Sequence, residues 1–289
     1  MKKYKLLKNE TIKFEGKTLY GIQALMDFGD IKKDQKGGYV QSENNLSHEG
    51  DCWIYDRAKA MDDSRVLGNA MMFDNSSIRD YSSMHNHASM HDYASMYELA
   101  SIHDNTSMYD FALMHDNTKM QDHATMYNHT SMHDFASMRD NASMYGCASI
   151  HDYASMYDRA SMYDNASMRD CASIHDCSRM HGDSIMYGDS RMHCDSRMHG
   201  RSMLFNGVCL RSIIKDTVLK SNNDFIEFDC IGKRKRTIIY LKKERLININ
   251  NCFIGNVDEL ESAVLKKYKR KKTNYHDMIK IIRALEQEQ

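Results

Sequence analysis

From Cys52 to Gly207, small or apolar residues recur at two phases of a six-residue period, with no insertion and no deletion. The third position of each unit runs Ile54, Ala60, Val66, Met72, Ile78, Met84, Met90 and onward in steps of six to Met198 and Leu204. The first position is Ala, Ser or Thr from Ala58 to Ser202. Six is a multiple of two, so the pattern suits extended chain and not helix. In a unit such as Ala160-Ser161-Met162-Tyr163-Asp164-Asn165, residues one and three face a core and residues two and four face outward. The last pair carries turn chemistry, because Asp, Asn and Gly tolerate the left-handed backbone of a sharp corner. Each unit is thus a short strand plus a corner, and three units close one triangular coil. The predicted fold is an all-β solenoid, a single-stranded hexapeptide β-helix. Twenty-six units from Ile54 to Leu204 make between eight and nine coils. At ~4.8 Å per coil the rod is on the order of 40 Å long.

The pattern breaks at both ends, which predicts three segments. Residues 1–51 read as an N-terminal β cap over an open strand edge. Thr11–Phe14 and Thr18–Ile22 are its strands, around Gly16-Lys17. Residues 52–210 are the β-helix, and 211–289 form a small β/α module. In that module Phe225–Phe228 and Thr237–Leu241 read as hairpin strands. Asn256 followed by Glu259 is an N-cap pattern, with Leu260, Val264 and Tyr268 as the apolar stripe of a first helix. Tyr275, Met278, Ile279, Ile282 and Leu285 share one face of a second.

Composition narrows the picture further. The 24 Met are read as filler for a narrow lumen, since Met adapts to irregular gaps; inward alternation argues against a Met-rich copper site. The chain has no Pro, which fits a body made of ladders and tight corners. The start of the chain lacks the apolar segment of a signal peptide, and no run approaches membrane-spanning length. The eight Cys show no framework spacing and read as thiols in a reducing cytoplasm. Cys177 and Cys194, nearly one coil apart, are the pair a disulfide would join. Residues 54–204 carry 21 acidic and 12 basic residues, and residues 205–289 carry 11 and 18. An acidic rod with a basic tail can meet nucleic acid or self-associate, although a solvated surface explains the same charges. Lys266, Lys267, Lys269, Arg270, Lys271 and Lys272 could contact phosphate. The same run also suits the negative end of a helix, so nucleic acid is disfavoured as a partner.

Two stretches carry a resemblance. Asp27–Ile31, Gly37-Gly38-Tyr39-Val40, Asn45-Leu46-Ser47 and Gly50–Asp56 resemble the start of a family of hexapeptide-repeat proteins of bacteria and their phages or prophages. The segment Cys252–Leu260 resembles a tail seen on phage members. Family repeats usually read like Ala-x-Val-Tyr-Gly-Asn, with Val where this chain has Met. The resemblance implies a left-handed β-helix, which spacing alone does not show, and association with the cytoplasm or a virion. Some members carry an acyltransferase label, but no family catalytic motif maps onto residues here.

Moving one coil at a time along the outward fourth position gives columns of candidate chemistry. One runs Tyr55, Phe73, His91, Tyr109, Tyr127, Tyr145, Tyr163, His181, His199. Stacked rings would stabilise neighbouring coils. Tyr109, Tyr127, Tyr145 and Tyr163 would also make a platform for carbohydrate, aromatic or protein partners. A second column holds His115, His133 and His151, candidate ligands for Zn²⁺ or Ni²⁺, though a flat column converges poorly on one ion. Pairs such as His115-Asp116 and His151-Asp152 look like dyads. Neighbouring strand residues point to opposite sides, so these pairs are not expected to meet, and Asp is assigned to the corner.

Hexapeptide acyltransferases, which the coil resembles, use a catalytic His at a subunit boundary of a trimer, with projecting loops that bind acyl-CoA. No loop interrupts the repeat between 54 and 204, and none of the 15 His stands out. Sites usually break local rules, so no catalytic residue and no cofactor is assigned. The reading is a non-catalytic structural or binding rod that offers flat repetitive faces to a protein or glycan partner. A homo-oligomer is compatible with it. The alternative is an acyltransferase acting with acyl-CoA.

Overall fold

A computed structural model of the chain describes residues 1–205, 207–231, 236–249, 253–269 and 273–287. It is an all-β solenoid. Two-residue strands such as Ser89–Met90, Ser95–Met96 and Ser101–Ile102 recur in every unit, each followed by a turn. Successive strands belong to three different sheets, and each pairs in parallel with the strand three units on, as Ser89↔Ser107 and Met90↔Met108. Met90, Met108, Met126, Met144 and Met162 form one inward column in that register, and all are fully buried. The Ala, Ser and Thr of the first position are buried beside them. Only small side chains leave room in a triangular lumen that the long Met side chains fill.

Stacking runs past both ends of the regular repeat. At the start, β3 (Lys36–Val40) pairs in parallel with Lys59–Ala60, and Leu46 bridges to Val66. At the far end Met198 pairs with Ile214 and Leu204 with Leu219. The three sheets hold 13, 10 and 9 strands, the first including the N-terminal hairpin.

That hairpin is β1 (Tyr4–Phe14) and β2 (Lys17–Ala24), antiparallel, with β2 joined to β3. It covers the first coil. Gly37 and Gly38 let β3 lie close on that coil, since a Cβ on Gly38 would sit 2.5 Å from the Ala58 carbonyl oxygen. Tyr4 packs edge-on to Trp53, and its hydroxyl donates to the carbonyls of Glu43 and Leu46. The Lys3 ammonium, buried beneath the hairpin, donates to the carbonyls of Gly50 and Cys52.

The C-terminal module is a four-stranded antiparallel sheet, Phe225–Ile231, Arg236–Leu241, Leu246–Asn248 and Ile254–Gly255, followed by α1 (Val257–Tyr268) and α2 (Asn274–Gln287). Strand alternation divides its side chains. Ile239 and Leu241 join the core of the rod, while Ile238 and Tyr240 join a second core with both helices. The sheet thus covers the open end of the rod with one face and carries the helices on the other. Asn256 and Glu259 form the expected capping box on α1. Tyr275, Met278, Ile279 and Ile282 of α2 are buried, and Leu285 is half-buried.

Candidate functional site: the outward columns and their corners

The corner residue of nearly every unit has a left-handed backbone, such as Asp116 at φ 57, Asp134 at 62 and Asp152 at 58. Asp tolerates this conformation better than most residues with a Cβ. Its carboxylate has a further task. The backbone N–H one coil later donates to it: Asp134 to Asp116 Oδ2 at 3.1 Å, Asp152 to Asp134 Oδ2 at 3.3 Å, Asp170 to Asp152 Oδ2 at 3.2 Å. This backbone donor is the main reason that the Asp116 and Asp152 carboxyls lie below their usual range. Repeated corner aspartates are therefore a carboxylate ladder that staples coil to coil.

The fourth-position columns stack as the spacing predicts. Rings run without a gap from Tyr55 through Phe73, His91, Tyr109, Tyr127, Tyr145, Tyr163 and His181 to His199. Tyr109, Tyr127, Tyr145 and Tyr163 are 4.9–5.0 Å apart between centroids and within 6° of parallel. Burial against the neighbouring rings raises the Tyr127 hydroxyl. In the second column His115, His133 and His151 stack at 5.2 and 4.7 Å, both pairs at 4°. The third includes Tyr157, His175 and His193. Burial holds His91, His151, His181 and His199 below the usual imidazole range, so they stay neutral at neutral pH.

One expectation fails. His115 Nδ1 lies 2.6 Å from Asp116 Oδ2, His133 Nδ1 2.7 Å from Asp134, and His151 Nδ1 3.1 Å from Asp152. The alternation of a strand ends at residue four, and the left-handed residue five swings its carboxylate back beside the imidazole. These are dyads in geometry. Each Asp also serves the ladder, and the pairs stand on an open coil surface at three successive levels.

The rod surface carries open depressions, one lined by Asp63, Arg65, Tyr81, Ser83 and His85, another by Lys119, Gln121, Arg139 and Tyr157. Cys52, Cys147, Cys171, Cys177 and Cys209 form no disulfide, so Cys177 and Cys194 are not bridged. Lys266 and Lys267 lie exposed in the last turn of α1, with Lys269 at its C-cap. Arg270, Lys271 and Lys272 fall outside the described residues. Among the described residues no helix is long and apolar enough to cross a membrane.

Two groups escaped sequence reasoning. Sixth-position side chains form exposed apolar corners: Tyr93 stacks on Phe111 at 5.1 Å, and Phe135 on Tyr153 at 4.8 Å. The signal was legible, since aromatics pair at this position three units apart, Tyr93 with Phe111 and Phe135 with Tyr153. The second is Cys194. It occupies a corner that elsewhere takes Asp, Asn, Gly or Glu, and it does so at φ 56. The repeat therefore does contain an exception. Protein-family models and curated proteins were both compared with the chain, and nothing matches it.

Proposed function

We propose that the protein is a non-catalytic binding rod, and that the face carrying Tyr109, Tyr127, Tyr145 and Tyr163 is its docking surface. The supporting observation is the unbroken, evenly spaced ring column, 4.9–5.0 Å between those four tyrosines. Ring faces are consumed by their neighbours in the stack, so a partner meets ring edges and hydroxyls. The outward, half-exposed second positions beside them are Ser107, Thr125 and Ser143. A surface of hydroxyls repeated at coil spacing suits a chain-like partner with its own repeated hydroxyls. A glycan has that chemistry. The exposed Tyr93 and Phe111 at the adjoining corner add apolar area for sugar rings to lie against.

The test is glycan-array binding by the full chain and by a Tyr127→Ala, Tyr145→Ala double variant. Binding lost in the variant with unchanged circular dichroism supports the reading. No glycan binding by the parent, together with cross-linking of a protein partner to the same face, replaces the glycan by a protein. The resemblance of the terminal segments supports a phage or prophage descent, and with it a cytoplasmic or virion-associated rod.

A second reading, acyl transfer from acyl-CoA, draws support from the His–Asp pairs, because a carboxylate on Nδ1 orients an imidazole as a general base. Three near-identical pairs on open surface weigh against it. Acyl-CoA turnover abolished by His→Ala at 115, 133 or 151 would promote it.

A further inference from the structure

The His133 column and the His193 corner both gather potential metal ligands, and geometry separates them. His115, Asp116 and His133 offer donors within 4.8 Å of one another, as do His133, Asp134 and His151. Their rings, however, lie parallel at 4°. In-plane lone pairs of parallel rings run side by side and do not meet at one ion. Each Nδ1 also faces its own Asp.

At His193 the arrangement differs. Here the neighbouring corner is Cys194, and the coil below supplies Asp176; one donor atom from each of the three lies within 4.8 Å of the others. His193 Nδ1 is 3.1 Å from Cys194 Sγ. Its other nitrogen, Nε2, is 3.0 Å from Cys209 Sγ. A proton on Nε2 directed at Cys209 leaves the Nδ1 lone pair toward Cys194, and such a partner on the second nitrogen is what fixes a metal-binding imidazole. The Cys194 N–H donates to Asp176 Oδ2 at 2.9 Å, and His175 Nδ1 lies 3.2 Å from that same oxygen. Both hydrogen bonds fall on Oδ2, which leaves Oδ1 for an ion. Only one imidazole is required, so the parallel-ring objection does not apply.

We propose that His193, Cys194 and Asp176 form a Zn²⁺ site, with Cys209 and His175 orienting the ligands. A thiolate, an imidazole and a carboxylate form a donor set suited to Zn²⁺. Three protein ligands leave the fourth position to water or to a group from a partner. The choice of Cys at a left-handed corner, where the turn itself is served by Gly182, Gly188 and Gly200 in nearby units, is then explained by the ion.

Titration of the metal-free full chain with Co²⁺ under a non-thiol reductant tests this, with Zn²⁺ competing. One equivalent should bind and give a thiolate-to-cobalt charge-transfer absorption that Zn²⁺ abolishes. Cys194→Gly, which suits the corner backbone, should remove the band without changing the melting temperature. Cys209→Ser should weaken binding by about tenfold to a hundredfold. His133→Asn should leave the band intact. Absence of the band in the parent, its persistence in Cys194→Gly, or its loss in His133→Asn would each overturn the assignment.

Discussion

Replacing one corner aspartate separates the two tasks assigned to it. Asp140 sits at φ 59, and its Oδ2 accepts the Asp158 N–H at 3.3 Å. Arg139 approaches the same carboxylate at 3.7 Å, but both side chains are about half exposed, so that pair contributes little. Asp140→Gly removes the coil-to-coil bond, about 0.5–1 kcal/mol for a long hydrogen bond. It relieves the left-handed strain but adds unfolded-state freedom worth roughly 0.5–1 kcal/mol, for a net loss near ~1 kcal/mol. Asp140→Ala loses the same bond and places a Cβ residue without a local partner in the left-handed region, at about 1–2 kcal/mol. The net loss is about 2 kcal/mol. Asp140→Asn keeps both the conformation and an acceptor and should stay within about 0.5 kcal/mol of the parent. Thermal melts read by circular dichroism should rank parent, Asn, Gly, Ala, with Ala roughly 2–4 °C below Gly. Equal melting of the Ala and Gly variants would show that the left-handed corner carries no strain, and would refute this account of the repeated aspartates.

Three further outcomes follow from the architecture. Met126, fully buried between Met108 and Met144, should yield no soluble protein as Met126→Asp, since the charge has no partner, while Ser131→Asp on the outer surface melts with the parent; equal melting of the two would contradict the inward assignment. Deleting residues 1–51 removes β1 to β3 and bares a parallel edge, so light scattering should find aggregates and not a shorter monodisperse rod. Acidification should destabilise the rod in two stages: His91, His151 and His181 have folded pKa values below 6.5, so the unfolded chain binds their protons first and stability drops as pH falls below about 6.5. The corner carboxyls of Asp116, Asp152 and Asp176, also lowered, add a second loss as pH falls below about 3.8. Denaturant melts that do not change between pH 7.5 and 5 would contradict the first stage.

The coil was legible because one six-residue phase specifies strand, corner and lumen together. Met126 and Tyr127 could be placed inward and outward from parity alone. The extent of stacking was not legible, because Met198 pairs with Ile214 and Leu204 with Leu219, each partner falling short of the full three-unit step. The hexapeptide phase is lost there while the backbone ladder continues. At the other end β3 joins the rod through two glycines that permit close approach, with no repeat at all. The His–Asp contacts were misjudged because strand alternation was carried one residue too far, into a left-handed corner. Cys194 was visible as a departure from the corner alphabet, but its company was not. Asp176 meets the Cys194 N–H, and Cys209 meets His193, only through stacking across coils.

The three-unit register builds every outward column, and spin-label distances test it most directly. Ser89 and the exposed Arg179 share one column five coils apart, linked through Ser107, Thr125, Ser143 and Ser161. With nitroxides on Ser89→Cys and Arg179→Cys, in a background with the exposed native thiols replaced, pulsed dipolar spectroscopy should give one narrow distance near ~24 Å, five spacings of ~4.8 Å. A broad distribution, or a distance well beyond ~30 Å, would contradict the stacked rod and the binding face built on it.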